Sequence, residues 1–406
     1  MRVRFVTPRY GPEVIGGAET GARQLAEHLV ERRAWEVEVV TTCARDHITW
    51  ANELPPGEVA VGGVRVRRFP VDHPRPAEAF ALDARVRATP RRTSRTDARR
   101  WVELNGPFST PLLEAVLAGG ADVTVYYPYL YHPTVATIGA VPTPAVLHPA
   151  AHDEPALYLS VFAETFASAD ALVFQTLAER RVVQHVHRVG GTRQLLLGLG
   201  TEPAPRSRRP GGAVLGVGDR PYLVTVGRVD THKGSAMLAR LFAEYKRRRP
   251  GPLALAFVGP VACDLPPHPD VVVTGPLDEQ DKWDVVRDAL VSVSASSLEA
   301  FSLVVPEAWT VGVPVMVNAL CGATREHCQR SGGGLWFGSY RELEALLDRL
   351  LADPALRREL GRRGRAYVER HYRWPVLIRR YERFLETVVA RGRRQPSPSV
   401  LAADPA

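Results

Sequence analysis

Short apolar runs separated by stretches of helical period, in two successive sets, constrain this 406-residue chain more than any other feature. In the first half, "VRFV" near the start, "VEVVTT" at 37, "DVTVYY" at 122, "PAVLH" at 144 and "ALVFQ" at 171 read as buried strands. Between the first two, Ala22, Leu25, Ala26 and Leu29 share one helical face. Around 201–220 the texture becomes Pro-, Gly- and Arg-rich with no sustained period, which marks a boundary or linker. The alternation then restarts with "YLVTVG" at 222, "LALAFVG" at 253, "DVVVTG" at 270, "LVSVS" at 290 and "VPVMVN" at 313. Strands alternating with helices imply parallel sheets covered on both faces. The expected class is therefore α/β, with two doubly wound Rossmann-like domains facing each other across a cleft. Near the end, Leu377, Ile378, Tyr381, Phe384, Leu385 and Val388 form one apolar face that needs a surface to cover it. The expected organisation is a first domain over 1–200, a boundary over 201–220, a second domain over 221–373, a helix over 374–392 and a disordered tail over 393–406.

Composition narrows the classes. No run approaches the ~18 apolar residues of a membrane span, and the opening "MRVRFVTPRYGP" offers no signal-peptide core, so a cytoplasmic protein is expected. Cys43, Cys263, Cys321 and Cys328 form no C-x-x-C pair, and Cys321 and Cys328 with His327 read better as core residues than as metal ligands. The net charge is +8, and residues 85–100, "RVRATPRRTSRTDARR", hold only one acid, Asp97. That run reads either as a solvated flexible loop or as a surface for a polyanion or an anionic membrane. No nucleic-acid fold signature accompanies it, so nucleic acid is not an expected partner.

In parallel sheets ligands bind beyond the carboxyl ends of strands, where helix N-termini aim free N–H groups outward. "GRVDTHKG" at 227–234 occupies such a strand-to-helix turn and departs from the Walker pattern at His232 and Gly234. Arg228 and Lys233, five residues apart, can converge on one diphosphate, Arg as a fork and Lys as a point charge. A second element, "SSLEAFSLVVPEAW" at 296–309, follows another strand. Ser302 is expected to cap its helix, leaving the amides of Leu303 and Val304 as an anion site. Glu299 and Glu307, eight residues apart, are expected to project toward the same place and suit sugar or ribose hydroxyls. No G-x-G-x-x-G stands at a strand end, which disfavours a dinucleotide cofactor.

Taken in order, "GGAE" at 16–19, "GRVDTHKG", "EAFSLVVPE" and the closing "YRW" at 372–374 resemble the retaining nucleotide-sugar glycosyltransferases of family 4, which have the GT-B fold. The resemblance covers about residues 1–390. It implies that Arg228 and Lys233 bind the donor diphosphate, that Glu307 accepts the ribose hydroxyls and that Glu299 contacts donor-sugar hydroxyls. It also implies that Leu303 and Val304 complete the phosphate site beside Ser302, and that Gly17 lets the backbone approach the donor. Base contacts fall near "GPLDEQDK" at 275–282. The family places a histidine at the end of a first-domain strand. Both His148 and His152 stand there; His152, followed by Asp153 and Glu154, is expected to open a helix and is preferred, while His148 reads also as a core histidine.

Family members often carry Gly where this chain has Ala300 and Ser302, and Pro306 removes a backbone donor. The implied reaction moves a sugar from a nucleotide-diphosphate donor, a UDP or GDP sugar, to a hydroxyl acceptor such as a saccharide, a lipid-linked saccharide or a small molecule. Anomeric configuration is retained by front-face attack, with no metal and no further cofactor: the two cations oppose the charge that develops on the leaving diphosphate. Tyr129, Tyr131 and His132 read either as acceptor-site or as packing residues. The alternatives are a nucleotide-sugar epimerase or phosphorylase-like enzyme on the same fold, and a catalytically silent module that binds a polyanion. A peripheral contact with an anionic membrane is the remaining expectation for the 85–100 run.

Overall fold

The computed structural model describes residues 1–14, 16–32 and 35–393. The chain forms two compact units, one of residues 1–200 together with the segment from 377 onward, the other of residues 201–376. The expected tail lies outside the described residues except for Arg393, which is anchored. Its guanidinium donates to the carbonyls of Ile138 and Gly139, both at 3.1 Å.

The first unit holds an eight-stranded sheet of β1 (Arg2–Val6), β2 (Glu36–Thr42), β3 (Gly57–Val61), β4 (Val64–Phe69), β5 (Val123–Tyr126), β6 (Ala145–Leu147), β7 (Ala171–Phe174) and β8 (Arg193–Leu196). Their spatial order is β3-β4-β2-β1-β5-β6-β7-β8, and only the edge pair β3–β4 is antiparallel. Strands β5, β6 and β7 are buried throughout and β1 all but its first residue, as near-continuous apolar runs require when both faces are covered. Even Arg4 is buried in β1. Its Nε meets Glu38 on β2 at 2.5 Å and its Nη1 donates to the carbonyls of Ala115 and Val116, so no charge is left unmatched.

The second unit holds a six-stranded parallel sheet, ordered β11-β10-β9-β12-β13-β14. Its strands are β9 (Tyr222–Val226), β10 (Ala254–Val258), β11 (Val271–Gly275), β12 (Val291–Ser294), β13 (Val315–Asn318) and β14 (Gly334–Phe337). Strand order reverses between β9 and β12, the topological switch at which such sheets bind ligands.

Two readings change. The 85–100 run is not a flexible loop: it lies within helix Ala77–Ala88, a 3-10 turn Pro90–Arg92 and helix Arg95–Asn105. Leu82, Val86, Ala98, Trp101 and Val102 enter the core from these helices, and Trp101 Nε1 donates to Asp83 at 2.9 Å. Segment 201–220 belongs to the second unit and contains helix Gly211–Leu215. It is held by the buried carboxylate of Asp284, which accepts from the amides of Arg208 and Arg209 at 3.2 Å each.

The C-terminal helix, Trp374–Arg391, buries Leu377, Ile378, Tyr381, Leu385 and Val388 against the first unit, while Phe384 is half-buried. The Tyr381 hydroxyl is 2.9 Å from His148 Nε2, deep in that unit. Tyr381→Phe would leave the buried His148 nitrogen without its partner, a loss of about 1–3 kcal/mol. Faster amide exchange in β6 and in the C-terminal helix would register it, and unchanged protection would show that the bond contributes nothing.

Candidate functional site

The turn after β9 is organised by Asp230, which sequence reasoning passed over. Its Oδ1 accepts from the Lys233 amide at 2.7 Å, and its Oδ2 lies 2.5 Å from Arg228 Nε. An Asp accepting from the amide three residues on is a recurrent turn device, and that spacing was the available signal. Burial opposes ionisation of Asp230, but the Lys233 amide and Arg228 outweigh it and hold its pKa below the ordinary carboxylate value. The turn closes on Gly234, which begins helix Ser235–Arg248 in the left-handed region at φ 72°. A Cβ there would sit 2.5 Å from the carbonyl oxygen of Ala295, beyond the end of β12. The turn thus packs directly on the second element, which is why no larger residue stands at this position.

That second element is the loop 295–303. Asn318 Nδ2 donates to the Ala295 carbonyl at 3.0 Å, and Ser296 Oγ donates to the Leu298 carbonyl at 3.0 Å. With loop and turn fixed, Lys233 Nζ reaches Glu299 Oε1 at 2.6 Å. The structure therefore brings Arg228, Lys233 and Glu299 together around Asp230. Glu307 stands on helix Val304–Thr310, three-quarters buried, with Lys282 Nζ at 3.6 Å. Burial pushes the Glu307 carboxyl above its ordinary range while Lys282 pulls it back. Burial also opposes the charge on Lys282, yet Glu307 and Glu279 outweigh it and raise its pKa. Lys282 ends the stretch expected near the base.

Ser302 is not the expected cap. The helix begins at Val304, Leu303 holds the N-cap position, and no side chain caps it. Ser302 instead adopts φ 73°, a left-handed conformation that glycine takes without the Cβ penalty. This is the position where the resembled family often has Gly. The backbone requirement is retained here and met by a residue for which it is costly. Leu303 and Val304 open the helix, where the first amides lack intrahelical acceptors.

The remaining expected residues lie in the first unit. Gly17 is the first residue of helix Gly17–Arg32, and a Cβ built there meets nothing within 4 Å, so the space beside it is open. Its neighbour Glu19 is ion-paired with Arg9, both buried. His148 is a core residue: it stacks on Tyr127 with ring centroids 4.9 Å apart, bonds Tyr381, and burial depresses its pKa to about 3. His152 is the accessible one of the two, on the loop between β6 and the 3-10 turn Pro155–Tyr158, its Nδ1 3.7 Å from Glu154 Oε1. Tyr129 and Tyr131 are packing residues: the Tyr129 hydroxyl donates to Glu154 at 3.0 Å, and Tyr131 meets Trp50 edge-on. His132 is buried against Phe108. His327 is also buried, 3.0 Å from the Phe301 carbonyl, and Cys321 and Cys328 are buried thiols.

One buried carboxyl holds the His152 loop. Glu179, at the start of helix Leu177–Val186, accepts from the amides of Ala151 at 2.9 Å and Gln175 at 2.6 Å. Burial pushes its pKa up to about 8 against the pull of those amides.

Residues 213–367 match the family model for glycosyl transferases group 1. The chain is 28% identical over 180 residues to a trehalose synthase of Rubrobacter xylanophilus, a match that spans 40% of this chain and 42% of that protein. It is 27% identical over 393 residues to a D-inositol 3-phosphate glycosyltransferase of Kineococcus radiotolerans, covering 86% of this chain and 85% of that one. Among solved structures, Anabaena HepE in complex with UDP and glucose superposes with a TM-score of 0.68 at 15% identity, over 95% of this chain and all of that one.

Two outcomes test this geometry. Gly234→Ala should cost at least about 1 kcal/mol through its positive φ and its collision with Ala295, seen as a lowered melting temperature; an unchanged one would contradict the packing of turn on loop. For Glu179, the unfolded carboxyl ionises near pH 4.3 and the folded one near 8, so between these the unfolded state binds fewer protons and stability falls as pH rises. Relative to Glu179→Gln, the wild type should lose melting temperature from pH 5 to pH 8; parallel curves would place the folded pKa at its ordinary value.

Proposed function

We propose, for a chain whose second unit belongs to the group 1 glycosyl transferases and whose fold is GT-B, that it transfers a sugar from a nucleoside-diphosphate donor to a hydroxyl acceptor with retention of configuration. The observation that carries this reading is the Arg228–Asp230–Lys233–Glu299 constellation at the switch point of the second sheet. It presents two cations on a turn fixed by Asp230, with the Glu299 carboxylate beside them on the neighbouring loop, an arrangement suited to a sugar diphosphate.

Breaking the glycosyl–phosphate bond builds negative charge on the diphosphate and positive charge on the sugar. Arg228 and Lys233 oppose the first from a turn that Asp230 already fixes. In this reading Lys233 exchanges its bond to Glu299 for one to phosphate, and Glu299 is released to accept sugar hydroxyls. Glu307, kept in place by Lys282, accepts the ribose hydroxyls, and the amides of Leu303 and Val304 complete the phosphate contacts. The two cations supply the counter-charge that a metal would otherwise bring. Gly17 and His152 keep in this reading the roles that the resemblance implies, Gly17 at the donor and His152 at the reacting sugar. The leaving phosphate takes the proton of the acceptor hydroxyl, so the chain itself need supply no strong base. UDP and GDP sugars are the proposed donors; UDP is what HepE holds in the structure that superposes on this one.

Binding of UDP, GDP, ADP and dTDP, and of their glucose and mannose conjugates, should single out one base by a rise in melting temperature that Arg228→Ala abolishes. Lys233→Ala should keep the fold and lose about 10²–10³ in turnover. Near-wild-type turnover would remove Lys233 from the diphosphate site, and no shift with any nucleotide would favour a silent module.

A further inference from the structure

Loop 295–303 holds one residue in a costly conformation, and what keeps it there lies in the helix behind. Ser302 has φ 73°. That angle turns with the planar peptide unit joining Phe301 to Ser302, so whatever fixes the Phe301 carbonyl fixes Ser302 as well. Among the described residues no backbone amide donates to this carbonyl. It accepts instead from His327 Nε2 at 3.0 Å. His327 stands on helix Gly322–Ser331, which follows β13.

The surroundings of His327 suit an apolar side chain. The ring is buried and meets Phe301 edge-on with centroids 4.7 Å apart, Tyr372 at 5.7 Å and Trp309 at 6.4 Å. Tyr372, the first residue of "YRW", closes this shell, since its ring also stands edge-on to Phe301 at 5.1 Å. Burial keeps the imidazole neutral, with its pKa depressed to about 4. A neutral ring has a single N–H, and because a carbonyl only accepts, that proton is on Nε2. Nδ1 is then a bare acceptor, sealed from solvent and without a partner. A phenyl ring would fill the same shell with no orphaned nitrogen, so the gain that the imidazole brings is its bond to Phe301.

We propose that His327 is a positioning residue of the donor loop: by holding the Phe301 carbonyl it keeps the 301–302 peptide from turning over, and with it the places of Ser302, the Leu303 and Val304 amides and Glu299. The proposal rests on the reading that this loop receives the sugar diphosphate; His327 itself touches neither sugar nor phosphate. Without the bond, the peptide turns so that Ser302 regains the negative φ that its Cβ favours. The loop then loses the shape that brings Glu299 to Lys233. A residue without Cβ at 302 has no such preference. The two positions are therefore coupled, and His327 is needed to the extent that residue 302 carries a side chain.

The full-length chain tests it, with UDP and GDP titrated as probes and amide exchange read in parallel. His327→Phe keeps a ring in the aromatic shell and removes the donor. It should weaken the nucleotide that binds by about tenfold and speed exchange across 299–305 while β12 and β13 keep their protection. His327→Gln, whose amide nitrogen reaches toward the same carbonyl, should restore most of both. In a Ser302→Gly background the loss caused by His327→Phe should shrink to about threefold or less. Nucleotide affinity and loop exchange both unchanged in His327→Phe overturn the proposal. So does a loss that His327→Gln fails to relieve and that is as large in the Ser302→Gly background, the mark of a packing defect. If the wild type binds neither UDP nor GDP the donor reading fails, and exchange across 299–305 in the same variants decides the positioning role by itself.

Discussion

Asp230 is the group on which the second-unit site depends, although it carries none of the chemistry proposed for it. A turn that offers two cations to a diphosphate must hold them close together before the anion arrives, and like charges resist that. Asp230 answers with one carboxylate: one oxygen on Arg228, the other on the Lys233 amide. The turn is thereby fixed through backbone and side chain at once. Gly234 then lets it press against Ala295, and the loop it meets carries Glu299 to Lys233. Substituting a longer residue at 234 or removing the carboxylate at 230 disturbs the same contact from opposite ends.

What the sequence made legible follows from what repeats. Buried parallel strands are runs of Val, Leu and Phe, so β1, β2, β5, β6, β7 and β9 to β13 are visible as such. The remaining strands are less so: β3 is largely exposed and β4 carries three arginines, whereas β11, an edge strand too, stays legible as a run of valines. The hairpin of β3 and β4 was nevertheless signalled by Gly62-Gly63, both with positive φ in the structure, the pair that a two-residue hairpin turn favours. The helices across 77–105 were hidden for another reason. Their buried faces, Ala79, Leu82 and Val86 from one helix and Ala98, Trp101 and Val102 from the other, do keep helical spacing, but each is short and set among arginines, with Pro90 between them. Segment 201–220 escaped because its anchors are amides on a buried Asp284 rather than apolar side chains.

The site itself was legible by residue type and spacing, and less so by partner. Arg228, Lys233 and Glu299 converge, but their ion pair is a fact of three dimensions that no spacing along the chain encodes. The Ser302 reading failed instructively. Serine before a helix is normally a cap, and only the backbone angle reveals that this one occupies a glycine-like conformation. Its cost is held by the fixed loop around it, so the local sequence rule gives way where the site is built.

The two histidines show how burial assigns roles that sequence leaves open. His148 and His152 lie on one strand end, four residues apart, with similar claims. His148 is enclosed between Tyr127 and Tyr381, and burial keeps its ring neutral through the physiological range. Its bond to Tyr381 instead ties β6 to the C-terminal helix. That leaves the chain after it free to turn outward, and Glu179 holds the turn by its amides so that His152 is presented from a fixed loop. Of the two, only His152 is part-exposed, with Glu154 Oε1 3.7 Å from its Nδ1.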